Sequence, residues 1–164
     1  MATGRRLDVL EFQAWRAFFY TYAVVVPKLD TELERDHGLS LNQFEVLSLL
    51  AQAGRKGLRM SDLASRVILS PSGLTRSVDQ LERRGLVSRC VFERDRRGQL
   101  ATITPEGRTA LRKATDSHVQ GVRRHFVDHL SRAELKELAD SLQAVLLGEG
   151  ASLHGAEQST TANP

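Results

Sequence analysis

The chain has 164 residues, 41% hydrophobic and 26% charged, the composition of an ordinary globular protein large enough to bury a core. Its net charge is only +3 and Cys90 is its one cysteine, which excludes an intrachain disulfide framework and a multi-cysteine metal site. No apolar run approaches the ~20 residues that cross a bilayer, and the opening MATGRRLDVLEF has a basic pair with no apolar segment behind it, so we expect no membrane span, no signal peptide and a cytoplasmic protein.

From about Leu7 to His37, Phe12, Trp15, Phe19, Tyr22, Val26, Leu29 and Leu33 recur at spacings of three and four, a helical stripe widened by Phe18 and Val25. Pro27 lies inside it and should kink the helix without ending it, because the stripe continues beyond. The stripe is wider than one small domain needs, and part of it reads as an intermolecular surface. Gly38 is a stop signal. Ser40, with Gln43 three residues on, forms a capping box for a second helix carrying Phe44, Val46, Leu47, Leu50 and Ala51. A basic loop follows at residues 54–57. Ser61 is expected to cap a short helix from Asp62 to Val67. Ser70 followed by Pro71 starts the next helix, which Gly85 ends.

Residues 86–92 read as a strand, residues 93–98 (ERDRRG) as a charged turn and residues 100–103 as a returning strand, together a hairpin. Thr104-Pro105-Glu106 opens another helix, with a stripe of Leu111, Ala114, His118, Val122, Phe126 and Leu130. Ser131 and Glu134 form a capping box before Leu135, Leu138, Leu142, Val145 and Leu146. From Gly148 onward the chain is small and polar, and we expect disorder.

The charge is segregated. Residues 54–113 hold 14 basic and 6 acidic side chains, and the remainder 9 basic and 14 acidic. A basic segment of this kind is the footprint of a polyanion partner. At 100° per residue, Leu74, Ser77, Val78 and Leu81 share the inward face of the helix after Ser70. Ser72, Arg76, Asp79 and Arg83 share the outward face, flanked by Thr75 and Gln80. Hydroxyl, guanidinium and amide groups are the ones that bond base edges and phosphates. Asp79 is expected to pair with Arg76 or Arg83 on its own helix. The short helix, the tight connection and this helix make a helix-turn-helix. The hairpin tip (Arg94, Asp95, Arg96, Arg97) would lie beside it, within reach of a minor groove.

The run LSPSGLTRSVDQLERRGLVSR (69–89), then ERDRRG, then ATITPEGR (101–108) resembles the MarR family of regulators, over about residues 7–147. The resemblance implies a mainly α fold with a small β-hairpin wing: a winged helix-turn-helix plus a helical dimerisation region. The expected divisions are a dimerisation helix over 1–37, a DNA-binding lobe over 38–104, further dimerisation helices over 105–147 and a tail over 148–164. It also implies that Arg97 enters the minor groove with Asp95 orienting it. A homodimer would bind double-stranded DNA at a pseudo-palindromic operator with half-sites ~10 bp apart. Arg59 and Ser61 would contact phosphate through a helix N-terminus, and Ser70 belongs to the same candidate surface.

Family members commonly respond to small aromatic or phenolic effectors. Trp15, Arg16, Phe19, Tyr22, Phe44 and His118 are the candidates here, with Arg16 able to pair a carboxylate. The alternatives are a DNA-binding regulator with no small-molecule switch, or one sensing oxidant or metal. Thiol sensing would fall to Cys90, expected to be a small buried strand residue, and metal sensing to His118 and His125 with His37 and Glu45 near. No metal or other cofactor is expected. An enzyme would need a nucleophile with its base, or a phosphate loop, and no G-x-S-x-G, H-E-x-x-H or phosphate-loop motif occurs.

Overall fold

The structure, a computed structural model, describes residues 6–92 and 95–150, and over 91–92 and 95–98 the backbone alone. Helix α1 runs Val9–His37 and continues across Pro27, opened by a capping box between Asp8 and Glu11. It closes at Gly38, whose left-handed φ of 62° suits a residue without a Cβ. Helix α2 (Leu41–Ala53) begins at the expected Ser40/Gln43 capping box. A single 3-10 turn over 54–56 leads into strand β1 (Leu58–Arg59) and the short helix α3 (Met60–Ala64). Helix α4 (Pro71–Arg83) starts at Ser70, whose hydroxyl accepts from the Gly73 amide at 3.1 Å. It stops in a Schellman arrangement: Leu86 N–H donates to Leu81 O and Gly85 N–H to Glu82 O. Strands β2 (Val87–Phe92) and β3 (Asp95–Ile103) follow, then α5 (Pro105–His125), a 3-10 turn over 127–129 and α6 (Arg132–Gly148). The expected tail falls mostly on residues 151–164, outside the described residues.

The sheet order is β1-β3-β2, antiparallel throughout, with Leu58 opposite Ala101 and Val87 opposite Ile103. Leu33, Leu39, Val46, Leu47, Leu50, Leu63, Leu74, Val78, Leu81, Ala101 and Ala114 form one buried cluster joining α1 to α5 and β3. Fully burying a leucine stabilises by roughly 1.5–3 kcal/mol, so this cluster holds the lobe together and fixes the inward face of α4.

Several expectations are corrected. Ser61 does not cap α3. The N-cap position is Arg59, Ser61 lies one residue inside the helix, and its hydroxyl bonds the Asp62 carboxylate at 3.4 Å. The helix is also shorter than read, because Ser65 already closes it. The hairpin is a three-stranded sheet: β1 is two residues long, too short for any periodicity, and exists only because β3 pairs with it. The returning strand begins at Asp95, before the expected Leu100, since a polar ribbon has no apolar alternation to announce it. The stripe from Leu111 to Leu130 is not one helix. Phe126 leaves the helical region at φ −141° and Leu130 lies beyond the break.

Candidate nucleic-acid interface

Leu74, Ser77, Val78 and Leu81 are buried, and Ser72, Thr75, Arg76 and Arg83 are exposed on the other side of α4. The Ser70 and Ser72 hydroxyls lie 3.2 Å apart at the helix start, beside the first unpaired amides. Thr75 donates its hydroxyl to Pro71 O at 3.0 Å, which fixes its rotamer. Arg83 reaches back to Asp79 O at 3.4 Å. This surface offers donors on a convex rod, the shape that enters a major groove.

Asp79 is not paired within its own helix. Arg89 on β2 takes it at 2.7 Å and holds Glu82 as well, at 2.8 Å through Nε and by a short contact through Nη2, while its own N–H donates to Glu82 at 3.2 Å. The bonds from Arg89 hold the Glu82 carboxyl below the usual carboxylate range, and the Glu82 carboxylate raises the guanidinium in turn. These groups are partly exposed, where such a pair contributes at most ~1 kcal/mol. Its larger effect is to neutralise two carboxylates on the outward helix and tie that helix to the wing.

Gln80 is half-buried and its amide oxygen accepts from Gln43 Nε2 at 2.7 Å, so it stands apart from the freely exposed stripe. Arg59 and Ser61 are exposed at the start of α3. Arg94 lies outside the described residues. Asp95, Arg96 and Arg97 lie on β3 by their backbone, and their side chains are outside the description. Cys90 is exposed, against expectation: β2 is an edge strand, Val87 and Arg89 turn inward, and Ser88 and Cys90 take the opposite, open face.

The six candidate effector residues do not come together in one chain. Trp15, Arg16, Phe19 and Tyr22 sit on the exposed N-terminal half of α1. There Trp15 and Phe19 stack at 6.1 Å and the Arg16 guanidinium lies 5.2 Å over the Tyr20 ring. Phe44 and His118 meet elsewhere, ring centroids 4.6 Å apart, at the seam of α2 and α5. Beside them is a cavity of about 150 Å³ lined by Leu29, Glu32, Leu33, Ser117, His118 and Arg124. Burial lowers the proton affinity of His118, and its Nδ1 is buried without a hydrogen-bond partner among the described residues. His37 bonds Ser117 at 2.8 Å and His125 bonds Glu32 at 2.9 Å, so the histidines face separate partners. Glu45 has its carboxyl pushed up by burial alone. Among the described residues no three side chains gather as a metal site.

The MarR family model matches residues 37–98. AbsC, a MarR family transcriptional regulator from Streptomyces coelicolor, is 34% identical, with 89% of this chain and 98% of that chain covered and a TM-score of 0.80. Sco3205, a MarR family transcriptional regulator from the same organism solved in complex with DNA, is 32% identical, covering 93% and 98%, with a TM-score of 0.83.

The chain belongs to the MarR family.

Among curated relatives, the transcriptional activatory protein BadR of Rhodopseudomonas palustris is 34% identical over 111 residues, 66% of this chain and 63% of BadR. The chain thus spans somewhat under two thirds of that relative's length. These relatives are transcriptional regulators, not enzymes, and the MarR-type winged helix accounts for the α3–α4 pair and the three-stranded wing. Sequence reasoning missed the Arg89 clamp, the Gln43–Gln80 bond and the Glu32 clamp on Arg124 and His125. The first two join residues 7 and 37 apart and the third joins residues more than 90 apart, and no local pattern carries such a signal. Among the described residues no helix is long and apolar enough to cross a membrane.

Proposed function

We propose that this MarR-family chain is a DNA-binding transcriptional regulator that acts as a homodimer on a pseudo-palindromic operator and represses by occluding an overlapping promoter. α4 enters the major groove with Ser72, Thr75, Arg76 and Arg83 outward. Arg59, Ser61 and Ser70 contact phosphate, and the wing arginines (Arg94, Arg96 and Arg97, with Asp95 beside them) reach the flanking minor groove. The observation that carries the reading is the division of α4, apolar side buried and donor side open, and the solved DNA complex of the similar Sco3205 supports it.

Arg76→Ala is expected to cost ~1–3 kcal/mol of operator binding and to relax base preference at one position. Binding of a selected duplex by fluorescence anisotropy, with and without single base changes, checks this. An equal loss on every sequence would make Arg76 a phosphate contact, and unchanged affinity would remove it from the interface. The similar BadR is named an activatory protein, so direction follows from where the operator lies. A promoter fusion assayed with and without the chain decides it.

An aromatic or phenolic effector is proposed at the Phe44–His118 seam, where the cavity lies between α1 and α5 and its His118 wall packs against Phe44 of α2. Trp15, Arg16, Phe19 and Tyr22 would join such a site only across a dimer. Such a ligand acts by preferring one spacing of the two α4 helices, and shifts the equilibrium by no more than its differential affinity. Loss of operator binding on adding phenolic acids tests the switch.

A further inference from the structure

The polar contacts between α2 and α4 run in one direction. The Ser40 backbone N–H is a donor only, and it bonds Gln43 Oε1 at 3.3 Å in the capping box. That fixes the Gln43 amide, which is buried, with its nitrogen toward α4. Gln43 Nε2 then donates to Gln80 Oε1 at 2.7 Å. Gln80 lies one turn beyond Arg76 on the flank of the outward face, so its oxygen is held inward and its two N–H donors are left for the outside.

Resting on the DNA-binding reading, we infer that Gln80 meets the duplex as a donor only, taking a hydrogen-bond acceptor, and that Gln43 is the positioning residue that sets this polarity without touching DNA. A glutamine that reads adenine bidentately must accept from N6 while donating to N7, and here the accepting oxygen, which keeps a second lone pair, is turned inward onto the buried Gln43, away from the outward face. What remains is donation to an acceptor on a base edge or to a phosphate oxygen. The two share one chemistry and differ in what they specify.

Gln43→Glu tests the polarity. Glutamate at this position keeps the capping box, and presents an oxygen where Gln43 presents a nitrogen. Gln80 must then turn its amide to donate inward, leaving its oxygen outward. With the duplex that the wild-type chain selects from a random pool, Q80L and Q43E should each weaken binding about tenfold, the weight of one hydrogen bond to a charged or well-placed acceptor. The loss on Q43E should be several-fold smaller in the Q80L background, where only the added charge acts. One modification of the duplex should cost the wild type the same factor and cost Q80L and Q43E nothing. If that modification is a base-pair change, the acceptor is a base edge; if it is a neutral methylphosphonate at one step, it is a phosphate. Melting temperatures of both variants confirm the fold. The inference is overturned if Q43E binds like wild type, if Q43E loses equally with and without Gln80, or if no modification has a Gln80-dependent effect. If the wild-type chain retains no duplex at all, the regulator reading falls first and this inference with it.

Discussion

Gly107 sits in the first turn of α5 where the helix crosses the end of the lobe. A Cβ built on it would stand 2.1 Å from the Leu86 carbonyl oxygen and 2.9 Å from Ile103 Cγ1. The same carbonyl accepts the Thr104 N–H at 3.1 Å, and Thr104 caps the helix through Gly107 N–H at 2.9 Å. Backbone cannot yield as a flexible side chain would, so even one methyl group must push α5 away from the β2–β3 end. Gly107→Ala is expected to destabilise by about 1–3 kcal/mol, the range for overpacking, read as a lower Tm by circular dichroism. The local sequence announces this junction only through Thr104-Pro105, a cap and a helix start. The need for glycine two residues later comes from a carbonyl 21 positions away. Ser61 shows the converse: a hydroxyl residue in a cap-like context lies inside the helix because β1 pairing places Arg59 at the boundary.

Among the elements, α5 is where pH acts. His118 is packed against Phe44, and burial favours its neutral form below the ordinary value of 6.5. With its folded pKa depressed, the unfolded chain binds more protons between that value and 6.5. The stability the imidazole contributes is therefore complete above pH 6.5 and is lost as pH falls through that window. His118→Phe keeps the ring and removes the titration. Its Tm relative to wild type should rise as pH is lowered from 7.5 to 5.5, measured by scanning calorimetry in one buffer series; a constant difference would contradict the assignment. The Glu32 carboxylate, lowered chiefly by the His125 hydrogen bond, acts at a lower window, and its contribution is lost only as pH falls below the ordinary carboxylate value of 4.5. The helical periodicity of α5 was legible over Leu111 to Val122. Its end at His125 was not, because apolar spacing continues past the point where the backbone turns.

In the whole molecule, the apolar surface is unevenly covered. Leu10 is 73% exposed and Trp15 56%, with Phe12, Phe18, Phe19 and Tyr22 half or more open. α6 buries no residue, although Leu135, Leu138, Leu142 and Leu146 line one side. Monomers seldom leave apolar patches beyond a few hundred Å², and each aromatic side chain can bury ~150–250 Å². A second copy of the chain is the expected cover. The protein should sediment as a dimer at micromolar concentration, and Trp15→Asp with Phe19→Asp should shift it toward monomer and weaken operator binding together. A stable wild-type monomer would contradict the proposed dimeric operator complex.

The caps at Ser40, Ser70 and Ser131, the stops at Gly38 and Gly85 and the two faces of α4 were determined by the sequence alone, because each depends on side chains within a turn or two of one another: Ser70 with Gly73, Ser131 with Glu134, Leu74 with Leu81. Tertiary structure alone decided what the outward face can present. Arg89 reaches α4 from another strand, Gln43 orients Gln80 from another helix, and the aromatics of α1 stay open while Phe44 and His118 close on each other. Periodicity states which side of a helix is buried; which partner meets that side depends on chain paths that local preferences do not encode.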